Sequence, residues 1–337
     1  MEIVCNQNEL NNAIQLVNKA VSARPTHPIL ANILLTADQG TNKISLTGFD
    51  LNLGIQTSCE ATVKNSGAIT IPSKLLSEIV NKLPIETPVS LEVDENSDNI
   101  LIKSDRGSFT IKGIPSDDYP NLPFVESGTS LTINPSSFLK ALKLTIFASS
   151  NDDSKQLLTG VNFTFKQNYL ESASTDGHRL AVVLIGNEKN IEDKQTLSNN
   201  EDNLSVTIPT RSLREIEKLV SLKSNENSIK LFYDKGQVVF ISSDQIITTR
   251  TLEGTYPNYS QLIPDTFSKL LTFNTKKLIG ALERIAVLAD QQSSVVKIKL
   301  DQKNLAFISA DAQDIGNANE SIPVNYQGED FDIAFNV

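Results

Sequence analysis

TIPSKLLSEIVNKL, residues 70–83, and TIPTRSLREIEKLV, residues 207–220, decide the fold, because the second segment repeats the first. They begin 137 positions apart (70 to 207), and the tripeptide YPN recurs at the same spacing (119 to 256). Two independent matches at one offset indicate that the chain contains a duplicated unit. Internal repetition has to be recognised first, because overlooking it leads to the wrong fold.

A third copy becomes visible when the starts of the units are aligned. In each copy an asparagine precedes an apolar residue four places on, and an alanine follows three places later. The asparagine and apolar residue are Asn6 and Leu10, Asn134 and Phe138, and Asn274 and Leu278. A later mark ends in aspartate at Asp50, Asp176 and Asp311. We therefore predict three domains, at residues 1–124, 125–258 and 259–337, here called the first, second and third repeats.

Each repeat has the pattern helix, strands, helix, strands. Apolar residues recur at helical spacing after the asparagines, which are the predicted N-caps. The second helix follows TIP, with the proline near its first turn, where the missing N–H costs little. Its predicted apolar side consists of Leu75, Leu76, Ile79, Val80 and Leu83. Alternating runs such as Val161-Phe163-Phe165 predict half-buried strands. The fold class is α+β, with two helices packed on antiparallel sheet in each repeat.

The third repeat is incomplete. Residues 335–337 fall where a third TIP segment should open, so the second helix and the closing strands have no counterpart in this sequence. Half a repeat cannot bury a complete core. We therefore expect this end to be poorly ordered, or the chain to be truncated.

The distribution of charge is more informative than its total. The net charge is −10, which taken globally argues against nucleic-acid binding. Five predicted helical windows, at 8–24, 73–83, 135–149, 211–223 and 275–289, together carry +8, which leaves −18 for the rest of the chain. Basic helices on acidic strands suit a curved body with a positive inner wall. The alternative is that the lysines and arginines only keep the helices soluble.

Composition and missing motifs restrict the chemistry. The chain has no secretory signal and no long apolar run, and two cysteines are too few for a disulfide scaffold, so we expect a cytoplasmic protein with reduced thiols. It lacks a phosphate loop, C-x-x-C and H-E-x-x-H, and two histidines exclude a multi-histidine metal site. Only Asp176-Gly177-His178-Arg179 resembles a catalytic segment, and a turn at a strand end is the favoured interpretation, since no nucleophile or second acidic pair is identifiable by spacing.

Seven segments, in order along the chain, resemble the bacterial DNA polymerase III beta clamp. They are RPTHPILANILL (24–35), LTGFDLNL (46–53), TIPSKLL (70–76), DDYPNLP (117–123), STDGHRLAV (174–182), TIPTRSL (207–213) and YPNYSQLIP (256–264). TDGHRLA is highly specific, and the others count mainly as an ordered set. The family continues through a further helix, strands and a short tail that this sequence lacks.

This resemblance implies a DNA sliding clamp, a processivity factor without its own catalytic site. Such a clamp is a head-to-tail homodimer that closes as a ring around duplex DNA. It slides without sequence specificity and tethers the DNA polymerase III catalytic subunit, which raises the local concentration of polymerase at its template. The implied further partners are an ATP-dependent clamp loader and other clamp-binding repair and replication proteins. No cofactor, metal or membrane is implied.

The resemblance also implies three sets of site residues. DNA-contacting positions of the family correspond to Arg24, Lys74, Thr210 and Arg211, although Thr210 supplies no charge. The cleft that receives partner peptides would use Leu158, Thr175, Gly177, His178, Arg179, Leu180, Pro257, Gln261 and Leu262. Gln261 stands where some relatives have arginine. The dimer seam would place Phe109 of one chain against Val287 and Leu288 of the other. Core packing is the alternative for the apolar residues, and solvation is the alternative for the basic ones.

Two other functions compete with the clamp. A metal-assisted hydrolase would use Asp176 and His178, and it would need a bound metal ion. A β-rich scaffold with no nucleic-acid role would carry its helix lysines scattered around the surface. Retention of the protein on circular DNA, with release when the DNA is linearised, would favour the clamp over both.

Overall fold

The structure is a computed structural model. It describes residues 1–336 except 23, 86, 95–96, 106, 126–128, 166–168, 187–203, 223–227, 243, 290–293, 302–303 and 313–315. Lys223, at the end of the predicted helical window 211–223, and Val337 lie outside the described residues. The chain divides into two compact units, Met1–Pro257 and Asn258–Val337. The first and second repeats thus share one unit.

The first repeat has two helices and two groups of strands. Its elements are β1 (Glu2–Asn6), α1 (Gln7–Val17), β2 (Asn32–Asp38), β3 (Lys43–Phe49), β4 (Leu53–Glu60), β5 (Thr62–Asn65), β6 (Gly67–Pro72), α2 (Ser73–Lys82), β7 (Pro88–Val93), β8 (Asn99–Ser104) and β9 (Gly107–Lys112). Short 3₁₀ turns lie at Asn18–Ala20 and Pro28–Ala31.

The second and third repeats follow the same order. The second contains β10 (Thr129–Ile133), α3 (Pro135–Thr145), β11 (Gly160–Phe165), β12 (Tyr169–Thr175), β13 (Leu180–Gly186), β14 (Leu204–Pro209), α4 (Thr210–Leu222), β15 (Ile229–Asp234), β16 (Gln237–Ser242) and β17 (Gln245–Arg250). The third contains β18 (Leu271–Phe273), α5 (Thr275–Ala286), β19 (Val295–Leu300), β20 (Leu305–Ala312), β21 (Gly316–Tyr326) and β22 (Phe331–Asn336).

The predicted N-caps are confirmed. Asn6 Oδ1 accepts from the Asn8 backbone N–H at 2.9 Å, and the asparagines before α3 and α5 accept from the third residue beyond them at 3.0 and 3.1 Å. Each bond satisfies a backbone donor that the first helical turn leaves unpaired. One local device therefore starts the first helix of every repeat.

Each helix buries one face, and one residue predicted to belong to such a face does not. Leu76 and Val80 of α2 are buried, but Leu75 is 47% exposed, so its inclusion in the apolar face was wrong. Leu75 is adjacent to Leu76 in sequence, and neighbouring helical residues point about 100° apart. In the second repeat Phe138 of α3 lies at ring-centroid distances of 5.6 Å from Phe163 and 5.8 Å from Phe240. This aromatic contact joins α3 to both strand groups of its repeat.

One sheet runs continuously from the second repeat into the first. Its strand order is β10-β15-β16-β17-β4-β3-β2-β6, and all its pairs are antiparallel. The junction is the β17–β4 pair, in which Ile247 lies opposite Ile55. The last strand of one repeat thereby covers the β4 edge of its neighbour, so neither strand exposes a free backbone edge there.

The third repeat has α5 on a sheet of order β18-β21-β20-β19-β22. Asn336 of β22 lies opposite Val295, as Pro72 lies opposite Asn32 and Pro209 opposite Gly160. β22 therefore occupies the position of the TIP strand, as predicted. An apolar groove of about 440 Å³ lies on this sheet, lined by residues that include Leu278, Leu282, Ile298 and Phe335.

The aspartate mark does not recur in the third repeat. Asp311 lies within β20, opposite Asn317, whereas Asp50 and Asp176 follow the ends of β3 and β12. The prediction of a third equivalent aspartate was therefore wrong. No helix in the described residues has the length and apolarity that crossing a bilayer requires.

Candidate functional site

The loop after β12 is built around the carboxylate of Asp176. One oxygen accepts from the backbone N–H groups of His178 (2.9 Å) and Arg179 (3.0 Å), and the other accepts from Arg179 Nε at 2.9 Å. Gly177 has a φ of +93°, a conformation that side chains other than glycine's rarely tolerate. These bonds are those of a tight turn, and they leave the carboxylate engaged with its own loop. They match the turn interpretation of this segment.

Neighbouring side chains hold the turn from two directions. Lys155 Nζ donates to the Asp176 carbonyl oxygen at 3.3 Å, and the Arg179 guanidinium lies 5.8 Å from the centroid of the Phe147 ring. The Thr175 backbone N–H donates to the Tyr256 hydroxyl oxygen at 3.0 Å. Tyr256 belongs to the repeated YPN mark, so this bond ties the end of the second repeat to the turn.

The predicted cleft residues fall into two groups. Seven lie in the Met1–Pro257 unit: Leu158, Thr175, Gly177, His178, Arg179, Leu180 and Pro257. Five of these surround the turn or follow it directly. Leu158 lies in the 3₁₀ segment Asp153–Thr159, and its carbonyl oxygen accepts from the Ser150 N–H at 2.8 Å. His178 and Arg179 are exposed, whereas Leu158 and Leu180 are half-buried. Gln261 and Leu262 belong to the other unit, where Leu262 is 74% exposed.

Removing the Asp176 carboxylate should loosen this turn. Burial raises its pKa, but hydrogen bonds from the His178 and Arg179 backbones and the Arg179 guanidinium outweigh that effect and lower the pKa. A lowered pKa means that the stabilisation is complete above the ordinary aspartate pKa and is lost as the pH falls through the lowered value. For Asp176→Ala we expect the His178 and Arg179 amides to exchange hydrogen about 5- to 10-fold faster at pH 7.

Hydrogen exchange followed by NMR measures this effect, and Asp153→Ala is the matched control, since Asp153 is exposed in the same repeat. Unchanged exchange at His178 and Arg179 in Asp176→Ala would contradict the assigned role of the carboxylate.

The described basic side chains of the five predicted helical windows are exposed, and most carry no ion pair within the described residues. Arg24 lies in the loop beyond α1 and its 3₁₀ turn, so the predicted window 8–24 extends past the helix. The exposed set comprises Lys19, Arg24, Lys74, Lys82, Lys140, Lys143, Arg211, Arg214, Lys218, Lys276, Lys277 and Arg284. Three of them are paired: Arg211 with Asp50 at 2.9 Å, Lys218 with Glu215 at 3.1 Å, and Arg284 with Glu320. The other nine are available to an anionic partner.

The four residues predicted to contact DNA lie in different environments. Arg24 and Lys74 are exposed cations without a recorded ion pair among the described residues. Arg211 forms an ion pair with Asp50, which lies in the first repeat and whose side chain is 7% exposed. Thr210 is 8% exposed and its Oγ1 is buried, so its side chain is not available to a phosphate. Thr210 is therefore corrected to a buried residue at the start of α4.

The three seam residues are apolar and accessible to different degrees. Phe109 is 40% exposed on β9, and β9 has a neighbour, β8, on one side only within the described residues. Val287 is 79% exposed just beyond α5, and Leu288 is half-buried. Exposed apolar side chains on an open sheet edge are typical of a surface that another chain covers.

Several residues that build the site were not predicted from the sequence. Phe147, Lys155 and Tyr256 hold the Asp176 turn, and Asp50 neutralises part of the Arg211 charge. The repeated aspartate and YPN marks contained Asp50 and Tyr256, so their recurrence was a usable signal. For Phe147 and Lys155 nothing in the linear sequence indicates the contact.

Three family models match the chain along its length. They describe the N-terminal, central and C-terminal domains of the DNA polymerase III beta subunit, and they match residues 1–123, 132–258 and 260–337. The beta sliding clamp of Synechococcus elongatus is 45% identical over 338 residues, which cover 100% of this chain and 88% of the relative. The beta sliding clamp of Bacillus subtilis is 32% identical, over 99% of this chain and 87% of the relative.

Solved structures agree with these sequence matches. The DNA polymerase sliding clamp of Bacillus subtilis superposes with a TM-score of 0.88 at 30% identity, covering 99% of this chain and 87% of that one. A sliding clamp of Pseudomonas aeruginosa bound to griselimycin gives a TM-score of 0.90 at 25% identity, covering 100% of this chain and 87% of that one. The similarity therefore extends over all three repeats.

Proposed function

Because the chain belongs to the DNA polymerase III beta subunit family, the beta sliding clamps, we propose that it encircles duplex DNA and tethers the replicative polymerase to it. The division into domains at 1–124, 125–258 and 259–337 is part of this proposal. The observation that carries it is the β17–β4 junction, since a repeat that joins its neighbour edge to edge can be continued into a closed ring.

The same junction, applied between chains, gives the dimer seam. Phe109 corresponds to Ile247, because each lies two residues beyond the first residue of its hairpin strand, Gly107 or Gln245. Tyr326 and Val63 each pair with the first strand of their repeat. Ala318 lies eight residues before Tyr326, and Ile55 lies eight residues before Val63, so Ala318 corresponds to Ile55. Since Ile247 lies opposite Ile55, Phe109 of one chain should lie opposite Ala318 of the partner subunit.

This seam joins two open edges. β9 is an edge strand, and β18 pairs with only residues 324–326 of β21, so the earlier part of β21 has one neighbour within the described residues. A head-to-tail pair of β9 and β21 would satisfy both edges in each of two symmetric seams. Val287 and Leu288 would add apolar contact beside it.

A ring holds DNA by topology, so its contacts to DNA can be weak. Non-specific phosphate contacts give dissociation constants on the order of 10⁻⁴–10⁻⁶ M, weak enough to permit sliding. The exposed helix cations, among them Lys74, Lys140, Lys143, Lys276 and Lys277, supply such contacts in this proposal. Partner peptides of the polymerase and of repair proteins would bind beside the Asp176 turn, and a separate ATP-dependent loader would open the ring.

Retention on circular DNA tests the proposed function. The protein is loaded onto a nicked circular plasmid, the salt concentration is raised to about 1 M to screen phosphate contacts, and the bound fraction is measured by gel filtration. We expect retention until a restriction enzyme linearises the plasmid, followed by release from the ends. Equal retention on circular and linear DNA, or equal loss from both, would contradict encirclement.

Truncating Leu158 should weaken polymerase binding without affecting DNA. Leu158 is half-buried in the 3₁₀ segment Asp153–Thr159, whose Lys155 donates to the Asp176 carbonyl oxygen. Loss of an aliphatic anchor in a peptide pocket costs about 1–2 kcal/mol, or roughly 10-fold in affinity. We expect this loss for Leu158→Ala binding to the DNA polymerase III catalytic subunit in surface plasmon resonance. Leu184→Ala, at a 64% exposed position of β13, is the matched control. An equal effect of both variants would remove Leu158 from the cleft.

A further inference from the structure

The first repeat contains a structural equivalent of the proposed peptide cleft. Asn32 and Gly160 lie opposite the TIP prolines of their repeats. Leu30 and Leu158 each lie two positions before these residues, so Leu30 corresponds to Leu158. Phe49 corresponds to Thr175, because each is the last residue of its strand and lies two positions beyond the residue opposite Leu34 or Asn162, namely Thr47 or Ala173. The two YPN tyrosines correspond as well, since each bonds to the backbone of the same strand in its repeat.

In the first repeat this location is filled by the chain itself. Leu30, Phe49 and Tyr119 are buried in one apolar cluster with Ile29, and Leu122 packs against it from the segment that follows YPN. The fit is close, because a methyl group on Gly54 would lie 2.4 Å from Leu122 Cδ2 and 3.1 Å from Phe49 Cδ2. Tyr119 fixes the segment by donating its hydroxyl proton to the Thr47 carbonyl oxygen at 3.2 Å.

At one position the first repeat carries the larger side chain. Where the first repeat has Phe49, 4% exposed, the second has the smaller and half-buried Thr175. A phenylalanine side chain at this position fills a volume, equal to most of its ring, that a threonine side chain leaves free. Residue size at this position therefore distinguishes a filled pocket from an accessible one.

We propose that the first repeat holds a second peptide pocket of the same design, which the chain's own Phe49 and Leu122 keep closed. Its ligand class is a peptide segment with a branched aliphatic side chain, because Leu122 is the side chain that it already holds. Of the two equivalent locations in the first and second repeats, the closed pocket leaves the one in the second repeat for partners. The equivalence with a peptide cleft rests on the proposed function of the second repeat.

Opening the pocket provides the test. The variant Phe49→Thr with Leu122→Ala gives the first repeat the residue of the second and removes the internal ligand. The probe is a peptide of residues 117–125, DDYPNLPFV, with a photoreactive leucine at position 122, and the full chain is used throughout. After irradiation, mass spectrometry locates the cross-links. Attachment within residues 27–54 reports the first repeat, and attachment within residues 150–180 reports the cleft of the second.

We expect the cross-link yield within residues 27–54 to rise at least 10-fold over the unaltered chain. Leu122→Met, which keeps an apolar side chain in place, should remain at the level of the unaltered chain. If the double variant fails to unfold cooperatively on heating, Leu122→Ala alone gives the same reading, since Leu122 is only half-buried.

An unchanged yield in a folded variant, or an equally high yield in the unaltered chain, would overturn the proposal. Cross-links within residues 150–180 are scored separately, so failure of the proposed cleft in the second repeat is distinguishable from failure of this inference.

Discussion

Replacing Lys74, Lys140, Lys143, Lys276 and Lys277 by glutamine is expected to weaken binding to a short linear duplex about 100-fold at low salt. All five are exposed on α2, α3 or α5, and none has a recorded ion pair within the described residues. Each lost phosphate contact should also lower the slope of log K against log salt by about 1. Fluorescence anisotropy at four or more salt concentrations gives both quantities.

A matched variant separates local charge from net charge. Lys43, Lys112, Lys230, Lys297 and Lys299 are exposed on strands, and their replacement by glutamine changes the net charge by the same amount. We expect this strand variant to retain the salt slope of the unaltered chain and to lose only a few-fold in affinity. If both variants lose affinity equally, the helices form no DNA-binding wall.

Phe109→Asp is expected to raise the dissociation constant of the dimer by at least 100-fold. Phe109 is 40% exposed on the β9 edge, and it should pack against the partner subunit in the proposed seam. Removing a buried aromatic anchor commonly costs 2 kcal/mol or more, and a carboxylate without a partner adds a desolvation penalty. Because the ring has two such seams, the loss acts twice in each closed dimer.

Sedimentation equilibrium over a concentration series measures the dissociation constant. Ile85→Asp is the control, since Ile85 is 74% exposed in the loop after α2 and lies on no sheet edge. We expect Ile85→Asp to leave the association unchanged. A dimer that tolerates Phe109→Asp as well as Ile85→Asp would exclude β9 from the seam.

The fold could be predicted because the determining signals are local and repeated. The asparagine caps join residues two or three positions apart, and the TIP strands and helices have regular periodicity, so each appears in the linear sequence. Leu75 was assigned to the wrong face because apolar side chains can also remain exposed on a helix. Asp311 was misassigned because a mark of four or five residues does not fix the strand register.

The site could be predicted only in part, because its contacts join residues distant in sequence. Asp50 and Arg211 are 161 positions apart (50 to 211), and their ion pair exists only because β17 pairs with β4. The burial of Thr210 likewise depends on how the start of α4 packs. The family resemblance assigned a DNA-contacting role to Thr210 and Arg211, because it matches residues by position in the sequence and does not show what surrounds them in the fold.

The central claim is that two chains close head to tail around DNA, and covalent closure tests it most directly. Phe109→Cys and Ala318→Cys introduce one thiol on each side of the proposed seam. Residues opposite one another in an antiparallel pair have Cβ atoms about 4.5–5.5 Å apart, within reach of a short bifunctional maleimide. The native thiols can remain, because burial raises the pKa of Cys5 and Cys59 to about 12 and suppresses their thiolates.

The cross-linked dimer, closed on a circular plasmid, is then denatured in sodium dodecyl sulfate and separated by electrophoresis. We predict that the dimer stays linked to the circular plasmid under denaturing conditions and is released when the plasmid is cut once. Release from the intact circle despite complete cross-linking of both seams would contradict encirclement.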